Sequence, residues 1–186
     1  MREFGRRGGG RRDPLAQPEQ AIRRLYSYVA YRIGPGPDAE DVVSETIERA
    51  LRYRGSFDPG KGSPAAWLVT IASRVLLDRY AAQRGEVPFE ETDDGPWRDD
   101  FASGSVRRIE LHDAMARLDE RSREVLALRY GADLKAREIA DILCLRTNTV
   151  EVALHRALER LRTILEETDT PSQRKEPRGL ATGGET

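Results

Sequence analysis

The chain has 186 residues, of which 38% are hydrophobic and 34% charged, and its net charge is −1. This length suits one ordinary domain or two small ones, and no apolar run approaches the roughly 18 residues of a membrane span, so no membrane insertion is expected. Cys144 is the single cysteine and the two histidines are far apart, which excludes an internal disulfide and predicts neither a metal site nor a cofactor. The N-terminus carries charge with no hydrophobic segment behind it, which is unlike a signal peptide, and a cytoplasmic protein is expected.

Charge is unevenly distributed along the chain. Residues 86–105 hold one basic and seven acidic side chains, with two prolines, two glycines and no periodicity, which predicts a flexible linker. The segments on either side are close to neutral. We therefore predict five parts: a disordered basic tail (1–16), a helical domain (17–85), an acidic linker (86–105), a second helical domain (106–168) and a disordered tail (169–186).

The first domain reads as three helices. The first runs over residues 18–33 with Ile22 and Leu25 on its inner face, and a Gly-Pro-Gly-Pro sequence ends it. The second starts at Asp38 and is expected to bury Leu51 together with Val42, Val43, Ile47 and Ala50. After a glycine-rich loop, Ser63 is the predicted N-cap of a third helix.

The second domain begins with two helices, over residues 106–118 and 120–130. Residues 131–162 then read as two helices with a turn near Cys144, and Thr147 or Asn148 can cap the second of them. No segment shows strand alternation. The predicted fold is therefore all-α: two small helical domains, the C-terminal one containing a helix-turn-helix.

A helix-turn-helix places its second helix in the DNA major groove. Asparagine can pair with adenine, arginine with guanine, and apolar groups with the thymine methyl. Glu151, on the same outward surface, would be repelled by phosphate unless it accepts from a cytosine amino group. The candidate DNA-contacting residues here are Arg146, Asn148, Thr149, Val152, His155 and Arg156.

Three blocks together resemble a known family: PDAEDVVSETIERAL at 37–51, FDPGKGSPAAWLVTIASRVLLDR at 57–79, and the segment 118–162. They are similar to the extracytoplasmic-function sigma factors of bacterial RNA polymerase. The resemblance implies a first domain that binds the polymerase β′ clamp helices and opens the promoter's minus-ten element. It implies a second domain that binds the β flap and reads the minus-thirty-five element, and it implies an anti-sigma factor as a further partner.

The resemblance also implies roles for particular residues. An acidic ridge on the second helix would dock on polymerase, although such a ridge taken by itself is usually a solvated face. The residues of this ridge are Asp41, Ser44, Glu45 and Glu48. The loop 55–62 and the third helix would hold the melted minus-ten strand, although without the flanking motifs the loop would be taken as an ordinary interhelical turn. The minus-ten candidates are Ser56, Asp58, Lys61, Arg74, Asp78 and Arg79.

Three classes of function were compared. An enzyme is disfavoured because the sequence has no nucleophile–base pair, phosphate loop or metal cluster. An autonomous helix-turn-helix regulator is the alternative, but it leaves the first 105 residues unexplained and would need a basic DNA-binding face. A sigma factor that binds core RNA polymerase and promoter DNA accounts for the whole chain. The acidic linker would then follow the positively charged RNA path of the polymerase, or else serve as a solubilising spacer.

Overall fold

The computed structural model describes residues 13–85 and 105–169, and within them every regular element is a helix. The predicted all-α class with two helical domains is therefore confirmed. The predicted tails and the acidic linker lie almost wholly outside the described residues. Among the described helices none is long and apolar enough to cross a membrane.

The N-terminal domain consists of α1 (Pro18–Ile33), α2 (Pro37–Tyr53) and α3 (Pro64–Gly85). A proline stands at the start of each helix, where its missing N–H leaves no hydrogen bond unmade. The predicted cap of α3 is present, since the Ala66 N–H donates to the Ser63 hydroxyl at 3.2 Å. Two predicted core residues are instead on the surface: Ile22 is 43% exposed and Leu51 is 55% exposed. Among the described residues, no neighbouring helix buries either side chain.

The C-terminal domain consists of α4 (Ser105–Ala116), α5 (Glu120–Leu126), α6 (Ala136–Leu143) and α7 (Thr147–Asp169). A π-helical turn, Ala127–Gly131, extends α5 toward α6. Asp119 caps α5, where its carboxylate accepts from the backbone N–H of Ser122 at 3.0 Å.

The turn between α6 and α7 forms where the sequence predicts it. Cys144 ends α6 in the left-handed conformation, with φ at 53°, a position that glycine usually fills. The expected cap of the next helix is shifted, because α7 already begins at Thr147 and Asn148 lies in its first turn. A capping interaction forms on α6 instead, where the Glu138 carboxylate accepts from the Lys135 N–H at 2.9 Å.

One buried cluster joins the two domains. It combines Leu25 and Val29 of α1 and Val75 of α3 with Leu128 and Ile139 of the C-terminal domain. A second cluster, around Val125, Leu126 and Ala157, lies within the C-terminal domain. Apolar side chains of α1 and α3 therefore pack against the C-terminal domain, although the sequence pattern predicts two separate units. The prediction that residues 17–85 and 106–168 fold independently stays a prediction.

Candidate nucleic-acid interface

The second helix of the helix-turn-helix carries a continuous exposed polar face. Val150 and Ala157 turn inward and are completely buried, which fixes the rotation of α7. The six candidates all point away from this core: Thr149, Val152, His155 and Arg156 are exposed on α7, as are Asn148 in its first turn and Arg146 just before it. From Asn148 to Arg156 the helix rises about 12 Å, a length similar to the width of the major groove, which admits an α-helix.

The charged groups on this face differ in their availability. Neither Arg146 nor Arg156 forms an ion pair with any residue in the described part of the chain, so both guanidiniums are open to an external acceptor. His155 lies 3.4 Å from Glu159, an attraction that exists only when the imidazole is protonated. Glu151 is exposed on the same face, where it would repel a nearby phosphate.

The acidic ridge of α2 faces solvent as the sequence predicts, with one exception. Asp41, Ser44 and Glu48 are exposed, while Glu45 is half-buried. The opposite side of α2 is anchored by Val42, Val43, Thr46 and Ala50, all buried. This burial fixes which side of α2 is presented to a partner.

Glu45 is the exception because it belongs to an ion-pair network between α2 and α3. Its carboxylate accepts from Arg49 at 2.7 Å and lies 3.5 Å from Arg79. Arg49 also donates to Asp78 at 2.8 Å, and this hydrogen bond, followed by the one to Glu45, raises the pKa of Arg49. A predicted polymerase contact and two predicted minus-ten residues therefore share one network.

The loop 55–62 is shaped by two of the predicted site residues. The Ser56 hydroxyl donates to the Tyr53 carbonyl at 2.7 Å, which closes the end of α2. The Asp58 carboxylate accepts from the Gly60 N–H at 2.9 Å, which holds a tight turn. Both residues and Lys61 are exposed. The loop thus has a defined form and presents polar groups to solvent.

The six minus-ten candidates do not form one cluster. Ser56, Asp58 and Lys61 lie in the loop before α3, whereas Arg74 lies about 15 Å along the helix from its first residue, Pro64, and Asp78 about 21 Å. Arg74 and Lys61 form no ion pair within the described residues, while Asp78 and Arg79 belong to the network. Such a spread suits an extended strand lying along α3 better than a single pocket.

Trp67 is a structural residue of this region. Its ring meets the Phe57 ring edge to face, with centroids 5.6 Å apart, and Phe57 is only 4% exposed. The contact ties the loop to the first turns of α3, as aromatic pairs of this geometry do in protein cores.

Comparison with known protein families identifies both domains. A family model described as Sigma-70 region 2 matches residues 19–86, and one described as Sigma-70, region 4 matches residues 108–161. The chain is 30% identical over 150 residues to the ECF RNA polymerase sigma factor EcfG of Rhodopseudomonas palustris, covering 78% of this chain and 81% of EcfG. The chain belongs to the extracytoplasmic-function sigma factors of bacterial RNA polymerase. It is also 31% identical over 155 residues to the sigma factor BldN of Streptomyces coelicolor, covering 79% of this chain but 58% of the longer BldN.

Two solved structures share the fold of this sigma factor. One is the sigma factor RpoE in complex with the anti-sigma factor NepR from Bartonella quintana, with a TM-score of 0.64 and 22% identity, covering 78% of this chain and 92% of RpoE. The other is CnrH in complex with the cytosolic domain of CnrY, with a TM-score of 0.55 and 25% identity, covering 82% of this chain and 85% of CnrH.

Sequence reasoning missed several residues that organise this sigma factor. Arg49 holds Glu45 and Asp78 together, and its i,i+4 spacing from Glu45 is a signal that could have revealed half of this role. Asp13 forms a two-point ion pair with Arg54 beside the loop, and the Arg54 hydrogen bond lowers the pKa of Asp13. No sequence pattern predicts a pairing across this separation of 41 residues.

Proposed function

We propose that this sigma factor binds core RNA polymerase and directs it to promoters for DNA-templated transcription initiation in the cytoplasm. The observation that carries the proposal is the order of the two family matches, region 2 followed by region 4, on one chain. The same chain exposes an acidic ridge on α2 and a polar face on α7, the surfaces such a factor needs. The net charge of −1 also favours binding to DNA together with polymerase, because autonomous binding depends on neutralising many phosphates.

In this proposal α2 docks on the polymerase β′ clamp helices. Asp41, Ser44 and Glu48 would meet basic groups directly, and complementary charge would set orientation and association rate. Glu45 contributes differently, because it is engaged by Arg49 and by Arg79. We infer that Glu45 supports the surface by holding the α2–α3 seam as well as by adding charge to it.

The promoter contacts would be divided between the domains. The loop 55–62 and the exposed side of α3 would take the melted minus-ten strand, with Lys61 and Arg74 holding phosphates. The C-terminal domain would bind the β flap and place α7 in the major groove of the minus-thirty-five element. Each contact is small, so recognition would require both domains on the same polymerase.

The role in initiation is tested by transcription with purified core RNA polymerase on a fragmented genomic library. We expect transcripts that appear only when this protein is added, with start sites sharing two upstream elements. Sequence-specific binding to duplex DNA at moderate salt without polymerase, and no protein-dependent transcripts, would favour the autonomous regulator instead.

The docking surface is tested by charge reversal that leaves the Glu45 network intact. The double variant Asp41→Lys/Glu48→Lys should lose core polymerase binding, because two attractive charges become repulsive. A matched control, Glu19→Lys/Asp113→Lys, makes the same change in net charge at exposed positions outside the ridge. Helical circular dichroism should be unchanged in both. Equal binding by the two variants would contradict the assignment.

We also propose that an anti-sigma factor regulates this protein. The support is that a solved structure of the same fold is a sigma factor bound to an anti-sigma factor. We expect a protein that competes with core polymerase for this chain in a purified binding assay. Simultaneous binding of that protein and core polymerase, with undiminished transcription, would argue against such regulation.

A further inference from the structure

The short segment ahead of α1 is tied to the end of α2 by a two-point ion pair. The Arg54 Nε donates to one carboxylate oxygen of Asp13 at 2.7 Å, and the Arg54 Nη2 donates to the other oxygen. Single exposed ion pairs add little stability, but a two-point pair of arginine with a carboxylate fixes the relative orientation of both groups. The pair therefore sets where Arg54 lies relative to the start of α1.

Asp13 is itself held in a closed turn. Its carboxylate also accepts from the Leu15 N–H at 3.0 Å, and its backbone carbonyl accepts from the Ala16 N–H at 3.2 Å. Pro14, inside this turn, is buried. The first residue of α1, Pro18, follows two residues after the turn, and the apolar face of α1 is buried in the core. The Asp13 carboxylate is thus fixed to the packed core through α1.

Arg54 lies where α2 ends and the loop 55–62 begins. It is the first residue after α2, and it opens the 3-10 turn Arg54–Ser56. Its carbonyl accepts from the Phe57 N–H at 3.3 Å, and the Phe57 side chain is only 4% exposed. A displacement of Arg54 therefore also moves Ser56, which is a predicted minus-ten residue.

The tip of the loop is held by contacts within itself. The Asp58 carboxylate accepts from the Gly60 N–H at 2.9 Å, and the Asp58 carbonyl accepts from the Lys61 N–H at 3.0 Å. A turn closed in this way moves as one body, so the direction in which it points is set where the chain enters and leaves it. The orientation of the loop is therefore decided at its two ends.

The segment ahead of α1 is adjacent to the other end of the loop as well. Asp13 and Pro14 share the walls of a cavity of about 890 Å³ with Ser63, Pro64 and Ala65, which join the loop to the first turn of α3. The chain enters the loop at the residue that pairs with Asp13 and leaves it beside this cavity. One short segment can therefore act on both ends of the loop.

Resting on the proposed function, we propose that Asp13 and Arg54 are positioning residues for the minus-ten loop, and that their ion pair sets the orientation in which the loop receives a base of the melted strand. Neither side chain has to contact that base. A carboxylate beside a DNA strand is repelled by phosphate, so Asp13 acts through Arg54 and not through DNA. Loss of the pair should therefore change which base the loop prefers, while the exposed acidic ridge on α2 still binds polymerase.

Three variants remove the pair without adding bulk: Asp13→Asn, Arg54→Gln and the double variant that carries both changes. If the two side chains act as one pair, the double variant should be no worse than either single variant, because the second change has nothing left to remove. The matched control is Arg117→Gln/Glu167→Gln, which removes an exposed ion pair of 3.0 Å in the C-terminal domain. Helical circular dichroism should be unchanged in all four proteins.

Base selection is measured by binding of the sigma factor–polymerase complex to premelted promoter duplexes, taken from promoters recovered with the genomic library. The non-template strand carries each of the four bases in turn at every minus-ten position. We expect the three pair variants to lower the affinity ratio between the preferred base and the others about fivefold at one position only, with the control equal to wild type. Polymerase binding without DNA should be unchanged. A merely structural role would lower the affinity for all four bases equally.

Amide hydrogen exchange in the free protein gives a readout that does not depend on polymerase. The Phe57 N–H donates to the Arg54 carbonyl in the turn that opens the loop. We expect this amide to exchange about fivefold faster in the three pair variants than in wild type and in the control, because Arg54 is no longer held by Asp13.

Unchanged base preference in Asp13→Asn, equal losses for all four bases, or additive losses in the double variant would overturn the proposal. An effect of Arg54→Gln alone would also overturn it, because Arg54 would then act on DNA without Asp13. Failure of the wild type to bind polymerase or any promoter duplex would instead contradict the proposed function. Exchange at Phe57 in the free protein would still decide whether the pair holds the loop.

Discussion

Leu128→Ala offers a direct test of the shared core. Leu128 lies in the π-helical turn of the C-terminal domain, is completely buried, and packs in the cluster that contains residues of α1 and α3. Truncation removes three carbon groups, worth about 0.8 kcal/mol each in transfer free energy, so the loss is about 2.4 kcal/mol before any cavity forms. With the cavity included, we expect about 2–5 kcal/mol of lost unfolding free energy.

The assay follows the two domains separately in the same full-length chain. With Trp97 replaced by phenylalanine, Trp67 becomes the single tryptophan and reports unfolding of the N-terminal domain, where it packs on Phe57. Circular dichroism follows all helices. Leu128→Ala should shift both urea transitions together, because the damaged cluster belongs to both domains.

The control is Leu77→Ala, which makes the same chemical change at a side chain that is 67% exposed. Its cost should stay within about 0.5 kcal/mol. If Leu128→Ala leaves the Trp67 transition unchanged while the helical signal splits in two, the domains fold independently. That result would refute the shared-core reasoning and support the separation that the sequence predicts.

Three further predictions concern the DNA face, a helix cap and the linker. If Arg156 reads a base, Arg156→Ala should weaken binding by about 1–3 kcal/mol at promoters that depend on the upstream element. If Arg156 contacts a phosphate instead, binding should fall evenly across all sequences, and footprints on promoters with altered upstream elements will distinguish the two outcomes. The Asp119 carboxylate accepts from Ser122 and pairs with Arg160, and these contacts lower the pKa of Asp119. The ionised carboxylate therefore stabilises the folded state above pH 3.8, the ordinary pKa of aspartate, and this contribution is lost as the pH falls below that value. Asp119→Asn should therefore flatten the acid side of the stability profile measured by urea unfolding between pH 7 and pH 3. Replacing residues 90–100 with a neutral Gly/Ser stretch of equal length should leave polymerase binding intact but lower initiation. Wild-type levels of abortive and full-length transcripts would mean that the acidic side chains of the linker serve solubility only.

Cys144→Gly should stabilise the turn of the helix-turn-helix. Cys144 has a left-handed backbone, which costs a residue with a Cβ about 1 kcal/mol relative to glycine. The gain should appear as a higher urea midpoint with an unchanged slope. A lower midpoint would show that packing of the thiol outweighs the backbone strain.

The helical segments and their exposed faces could be predicted because their determinants are local. Apolar spacing at 3.6 residues located α1 to α3 and α7, and Ser63 marked the start of α3. The predicted outward positions of α7 are exposed, namely Asn148, Thr149, Val152, His155 and Arg156. Periodicity gives the apolar side of a helix but not which neighbour covers it. That is why Leu51 was expected in the core and lies in solvent.

The sequence by itself determined an all-helical chain with two domains and a helix-turn-helix, because hydrophobic period, capping residues and turn residues act within a few positions. Only the tertiary structure decided how those helices meet. The contact of Tyr28 with Glu124 spans 96 residues, and the approach of Gly131 to Tyr28 depends on the shapes of two separate surfaces. Likewise, Arg49 could be paired with Glu45 from spacing, but its bond to Asp78 exists only because α2 and α3 pack side by side. Contacts of this kind are fixed by packing, which joins residues without regard to their distance along the chain.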